Sequence, residues 1–145
     1  MKLKKFMAVS AAALMLVSSI TACSGGSASQ SASGDKVIKI GVFEPLTGEN
    51  GGGGLHEAMG IRYANMVYPT VNIGGEEYKV ELVEVDNKSD KTEAVSAAQK
   101  LVSEKVSAVI GSYGSGVSIA AGPTFESAKI PAIGATCTNP QVTLG

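Results

Sequence analysis

The feature that most constrains this chain is a rhythm. Four short apolar runs, Val37–Phe43, Tyr78–Val85, Ala108–Ile110 and Ile130–Ile133, alternate with three stretches of helical length. Val37–Phe43 (VIKIGVF) is β-branched or apolar at nearly every position, as a strand covered on both faces requires. In Tyr78–Val85 (YKVELVEV) the polar alternation breaks at Leu82-Val83, where burial reaches both faces. The spacing between the runs predicts helices over Leu55–Tyr68, behind Asp90, and over Val117–Lys129. Leu55, Met59, Tyr63 and Met66/Val67 form one stripe, read as core rather than as a partner-binding face, and Pro69 ends that helix. Asp90-Lys91-Thr92-Glu93 resembles a capping box with Asp in place of Ser or Thr, followed by a stripe of Val95, Ala98, Leu101 and Val102. Pro123 sits inside the third helix and disfavours the turn before it. Gly74-Gly75 marks a turn within Val71–Glu77. The order β-α-β-α-β-α-β, with helices joining short apolar strands, implies crossovers and a parallel sheet: an α/β, Rossmann-like lobe with flanking helices.

In such sheets ligands gather beyond the C-terminal ends of the strands, near a topological switch point. That selects Glu44–Gly54, Asp86–Asp90, Gly111–Gly116 and Gly134–Pro140. Gly111-Ser112-Tyr113-Gly114-Ser115-Gly116 runs from a strand into a helix, whose first N–H groups and positive dipole end favour an anion. Two readings of Ser115 stand open: a hydroxyl that adds a hydrogen bond to a carboxylate or phosphate, or a plain N-cap. In Gly134-Ala135-Thr136-Cys137-Thr138-Asn139-Pro140 the two threonines alternate with Cys137, so both hydroxyls can share a side. Hydroxyls and carbonyls suit an ammonium group; a bland polar loop closed by Pro140 is the other reading.

Several chemistries are excluded. The glycine pattern G-x-x-G-x-G is not the dinucleotide fingerprint G-x-G-x-x-G, and no Gly-Lys-Ser/Thr follows it, so there is no phosphate-binding P-loop. No G-x-S-x-G elbow is present. One histidine, His56, rules out a two-His metal site, and two cysteines, Cys23 and Cys137, rule out a disulfide framework or a four-Cys zinc site. Cys137 has no second histidine as a base and reads as a small packed thiol. Asp86 and Asp90 are too few for a calcium loop, and capping accounts for Asp90. No cofactor or metal is expected. The net charge of −1 gives no nucleic-acid footprint, and it becomes more negative without Lys2, Lys4 and Lys5.

Those lysines open an address label. Residues 1–5 are basic, Phe6–Val17 is apolar except for Ser10, and Ile20-Thr21-Ala22-Cys23 follows. The apolar run is too short to span a membrane and fits the centre of a secretory signal. The four-residue motif resembles the lipobox of bacterial lipoproteins, which implies cleavage after residue 22 and a diacylglycerol on Cys23. An uncleaved anchor with an incidental cysteine is the alternative. Ser24–Gly34 (SGGSASQSASG) has nothing to bury and reads as a tether, so the organisation expected is signal peptide 1–22, lipidated tether 23–36 and lobe 37–145.

Taken together, IKIGVFEPLTGENGG, ELVEVDNKSDKTEAVSAAQKLV and AVIGSYGSGVSIAAGPTFESAKIPAIGATCTNP are similar to the branched-chain amino-acid binding proteins of ABC importers, of the type I periplasmic binding-protein fold. The resemblance runs from about Val37 to Pro140. It implies two Rossmann-like lobes closing on a ligand, of which this chain holds most of the first. It also implies a ligand carboxylate held by Ser115 and by Thr138 with its N–H, and an ammonium held by the Thr136 carbonyl, the Thr138 hydroxyl and an acid from the second lobe, with Gly116 and Cys137 beside them among the ligand-binding residues. Cys137 lies between the two threonines. Two positions depart from the family pattern. Gly53 stands where an aromatic often faces the ligand, a role that Tyr113 would take over, and Gly114 stands where a disulfide often ends. The function implied is capture of an amino acid, or of a relative such as an aromatic acid, and delivery to an ABC permease at the outer face of the cytoplasmic membrane. A sensor lobe for a signalling receptor and, more remotely, an exported α/β enzyme are the alternatives.

Overall fold

The computed structural model describes residues 36–144. The segment expected to be a signal peptide, Cys23 and all of the expected tether except Lys36 lie outside the described residues. Five strands and three helices follow one another as β1 (Val37–Glu44), α1 (Gly51–Val67), β2 (Thr70–Ile73), β3 (Glu76–Asp86), α2 (Lys91–Ser103), β4 (Ala108–Ile110), α3 (Ser115–Ser127) and β5 (Ala132–Ile133), with a final 3-10 turn at Pro140–Thr143. The sheet order is β2-β3-β1-β4-β5. β1 pairs in parallel with β3 and β4, and β4 with β5.

The sheet is mixed rather than wholly parallel. β2 runs antiparallel to β3 from Thr70↔Lys79 to Ile73↔Glu76. The Gly74-Gly75 turn read from the sequence joins them; both glycines have positive φ, and Gly75 N–H donates to Asn72 Oδ1 at 3.1 Å. Val71 and Ile73 are exposed on this edge hairpin, so no buried run betrayed β2 in the sequence.

The core lies between the sheet and α2/α3. Phe43, Val85 and Val109 point from the strands at Ala94, Ala98 and Leu101 of α2 and at Val117, Ala121 and Phe125 of α3. Phe43 and Phe125 meet edge to face at 5.6 Å, the arrangement that the ring quadrupole favours. Asp90 caps α2 as expected, accepting from Thr92 N–H at 2.8 Å and Glu93 N–H at 2.9 Å. The reciprocal half of the box is not made, because Asp90 N–H donates to the Asn87 carbonyl at 3.0 Å. Pro123 falls inside α3, which holds its helical course around it.

Helix α1 overturns the expectation for its stripe. It begins at Gly51, earlier than the apolar spacing indicates, and its buried residues are Gly51, Gly54 and Ala58. Met59, Tyr63 and Met66 are 60%, 65% and 70% exposed. The physical reason is close approach. A Cβ at Gly54 would stand 2.2 Å from the Pro45 carbonyl oxygen, so the helix reaches β1 only through its small residues. The large apolar residues are thereby turned away from the sheet. Arg62 ties α1 to β3 through Glu84, bonding from Nε at 2.7 Å and again from its terminal nitrogen.

Candidate ligand-binding site

The chain leaves β1 toward α1 on one face and leaves β4 toward α3 on the other, so the sheet's switch point lies between the ends of β1 and β4. All four segments selected from the sequence converge there. Asp86, at the end of β3, accepts from Leu46 N–H at 2.9 Å, Thr47 N–H at 3.2 Å, Thr47 Oγ1 at 2.5 Å and Lys88 N–H at 2.8 Å. Burial opposes its ionisation, yet hydrogen bonds from the Thr47 hydroxyl and from three backbone N–H groups hold the carboxyl below its usual range. The alternative of a cation on Asp86 and Asp90 is therefore set aside: one carboxylate clamps two loops and the other caps α2. Asn50 N–H donates to Ser89 Oγ at 2.9 Å, and buried Asn87 donates from Nδ2 to Ser112 Oγ at 2.8 Å, joining a third loop. Gly111 closes the gap, at φ +124°, where a Cβ would lie 2.1 Å from the Phe43 carbonyl oxygen.

The fourth loop is held by Ser115. Its Oγ accepts from Thr138 N–H at 3.1 Å and from Asn139 N–H at 3.2 Å. Gly114, not Ser115, occupies the N-cap position of α3, so the plain-cap reading of Ser115 does not hold. The hydroxyl stands in the first helical turn beside the N–H groups of Ser115, Gly116 and Val117, which have no intrahelical carbonyl to meet. With two donors already on its oxygen, the Ser115 hydroxyl keeps its own proton to give. The structure thus brings Ser115, Gly116 and Thr138 together, with Thr138 N–H turned onto Ser115. The hydroxyls of Thr136 and Thr138 are on exposed residues and carry no hydrogen bond within the described residues.

Cys137 points inward between them. Its sulfur lies 3.3 Å from Ser118 Oγ and 3.4 Å from the Ser112 carbonyl oxygen, contacts with a hydroxyl and a carbonyl rather than with a base. Tyr113 is 39% exposed, and its ring lies over Gly53 in the first turn of α1.

Glu44 is the residue that sequence reasoning passed over. It ends β1 fully buried, and its Oε2 accepts from Tyr113 N–H at 2.8 Å, crossing the switch point. Burial, aided by neighbouring Glu57, raises its pKa to about 8 against the pull of that N–H. An acid that prolongs an apolar strand immediately before Pro45 was the available signal.

The model of the periplasmic binding protein family matches residues 37–144, and the chain belongs to that family. It is similar to a leucine-binding protein from Thermotoga maritima, with a TM-score of 0.69 and 42% identity over 75% of this chain and 30% of that one. It is also similar to a branched-chain amino acid transporter substrate-binding protein from Streptococcus pneumoniae solved with isoleucine (TM-score 0.67, 33% identity, 76% of this chain and 32% of that one). A third likeness is to an ABC transporter solute-binding protein from Rhodopseudomonas palustris, solved with 4-hydroxybenzoate (TM-score 0.65, 26% identity, 75% of this chain and 29% of that one). These match the fold expected from the sequence, that of the type I periplasmic binding proteins. The chain spans about 28% of the length of the curated relatives it matches.

Proposed function

We propose that this chain is the first-lobe portion of a lipid-anchored solute-binding protein of an ABC importer, with a branched-chain amino acid as the favoured ligand. The observation that carries the reading is the gathering of Thr138 and Asn139 onto Ser115 at the open start of α3, beside Tyr113. A ligand carboxylate would accept from the Ser115 hydroxyl and from first-turn N–H groups, with the helix dipole favouring its charge. The exposed threonine hydroxyls would lie at its ammonium end, and Tyr113 would offer an apolar face. No bond is made or broken in this reading. Binding energy closes a second lobe over the ligand, and the permease responds to the closed form. The relatives with isoleucine and with 4-hydroxybenzoate frame the choice of ligand, since both ligands present a carboxylate and an apolar body.

The test is calorimetric titration of two proteins. Residues 23–145 alone present an open surface where water competes for every hydrogen bond, so they should bind no amino acid tighter than about millimolar, near −4 kcal/mol. The same chain joined to the remaining part of the Thermotoga maritima protein should bind leucine or isoleucine at least about a hundredfold tighter. Preference for 4-hydroxybenzoate would move the reading to aromatic acids, and micromolar binding of an amino acid by the chain alone would overturn the two-lobe mechanism.

A further inference from the structure

Glu44 reaches the switch point from the end of β1 and is fully buried there. Its Oε2 accepts from Tyr113 N–H at 2.8 Å, two residues before Ser115. Gly111 leaves the carboxyl room, since a Cβ at that position would stand 2.6 Å from Glu44 Oε1. Glu44 also lines an open groove of about 430 Å³ beside α1, where Glu57 is its hydrogen-bonding neighbour. No donor from the described residues reaches Glu44 Oε1 or either oxygen of Glu57. Two neighbouring carboxyl groups without any other donor satisfy each other only when a proton lies between them. Among the described residues no basic side chain lines the groove, and Tyr68 is its one further titratable group. On α1, Arg62 is engaged by Glu84 of β3, and His56 is exposed, as is Glu49 in the loop before it. Asp86, at the end of β3, is turned onto the N–H groups of Leu46, Thr47 and Lys88. Tyr113, from the loop after β4, meets Glu44 through its backbone.

We propose that Glu44 and Glu57 are a shared-proton pair that positions the turn at residues 113–115, and that the charge on the pair sets how strongly this turn takes up an anionic ligand. The inference rests on the reading of Ser115 as the place where a ligand carboxylate binds. Burial raises the Glu44 pKa to about 8, opposed by the Tyr113 N–H and assisted by Glu57. At neutral pH the pair therefore carries one negative charge, and it carries two once its proton is lost as pH rises through that value. The second charge arises beside the same helix start that receives the ligand carboxylate, and the two repel. Binding should accordingly take up a fraction of a proton and weaken as the pair ionises fully. Glu44 acts here through the backbone of Tyr113, as a positioning residue.

The experiment has two arms. In the first, the full chain is labelled with nitrogen-15 at its 4 tyrosines, and Tyr113→Phe identifies the Tyr113 amide signal. The shift of that amide should titrate between pH 6.5 and pH 9. It should hold still in Glu44→Gln, whose side chain can accept from Tyr113 N–H and donate to Glu57 without titrating. In the second arm, the two-lobed protein described above is titrated calorimetrically with leucine at pH 6.5 and pH 9. Parental affinity should fall about threefold or more, near the low end for coupled sites. Glu44→Gln should show only the smaller fall that ionisation of the leucine amino group imposes on both proteins. Repeating the parental titration near pH 8 in buffers of different ionisation heat should reveal uptake of about 0.3 of a proton per leucine. A Tyr113 amide that does not titrate, or the same pH dependence of affinity in both proteins, would overturn the inference. A titrating amide without leucine binding would uphold the pair as the holder of the turn and remove the proposed ligand, with benzoate then serving as the anion in the second arm.

Discussion

The ring of Tyr113 fills the space that a side chain at Gly53 would occupy: a Cβ built there falls 2.6 Å from the ring. One position is kept empty so that the other's aromatic group can lie across the start of α1. Gly53→Ala should therefore destabilise the lobe by about 1–2 kcal/mol through overpacking. The same substitution in a Tyr113→Ala background should cost a few tenths at most. Urea denaturation of the four proteins measures the coupling, and equal costs in both backgrounds would show that the ring simply swings away.

Ser115 and Thr138 are joined through a side chain and a backbone N–H, and in the proposed site the Ser115 hydroxyl meets the ligand's carboxylate while the Thr138 hydroxyl meets its ammonium. In the two-lobed form, Ser115→Ala and Thr138→Ala should each lower ligand affinity by about 1.5–3 kcal/mol, the range for hydrogen bonds to a charged group. That is about tenfold to over a hundredfold. Cys137→Ser should cost far less, since its sulfur faces Ser118 and the Ser112 carbonyl. Calorimetry that finds parental affinity for Thr138→Ala would remove Thr138 from the site.

Asp86 and Glu44 give opposite pH dependences. The folded pKa of Asp86 is depressed, so its stabilisation is present above the unfolded value of about 3.9 and is lost as pH falls through the folded value. Asp86→Asn should cost about 1.5–3 kcal/mol at pH 7, and the difference from the parent should shrink below about pH 4. Urea midpoints against pH would show it, and a pH-independent difference would mean that the carboxylate charge is not what holds the loops.

Glu44 has its folded pKa raised from 4.5 to about 8, so the folded chain keeps a proton that the unfolded chain releases. Parental stability should fall as pH rises between those values, because the native state binds more protons there. Glu44→Gln should flatten that slope, giving a protein at pH 8 at least as stable as at pH 5.5. A parental profile already flat over this range would contradict the shift.

The four residues Ile20-Thr21-Ala22-Cys23 lead us to expect processing before Cys23. Cys23→Ser should leave the protein unacylated and its precursor uncleaved at that site. Intact-mass spectrometry distinguishes the two forms, and an identical mature mass for both would refute lipidation at Cys23.

Much of this lobe is legible in the chain because local rules and tertiary packing agree. β1 and the parallel run of β1, β3, β4 and β5 follow from β-branched runs spaced by helical lengths, whereas their side-by-side order does not. The cap at Asp90 and the convergence of four loops at the strand ends follow from the same pattern. Three other things needed the tertiary structure. β2 exists because β3 offers it an edge, and its exposed side chains carry no hydrophobic signal of their own. The face that α1 turns inward was decided by how closely Gly54 and Ala58 let it approach β1, a steric fact that outweighs the larger apolar stripe of Leu55, Met59 and Tyr63. The part played by Glu44 depends on Tyr113, distant in sequence, and on Glu57 across the groove. Periodicity reports which residues share a face of one element. Which face meets which neighbour is settled by the distances between elements, and those arise only when the chain is packed.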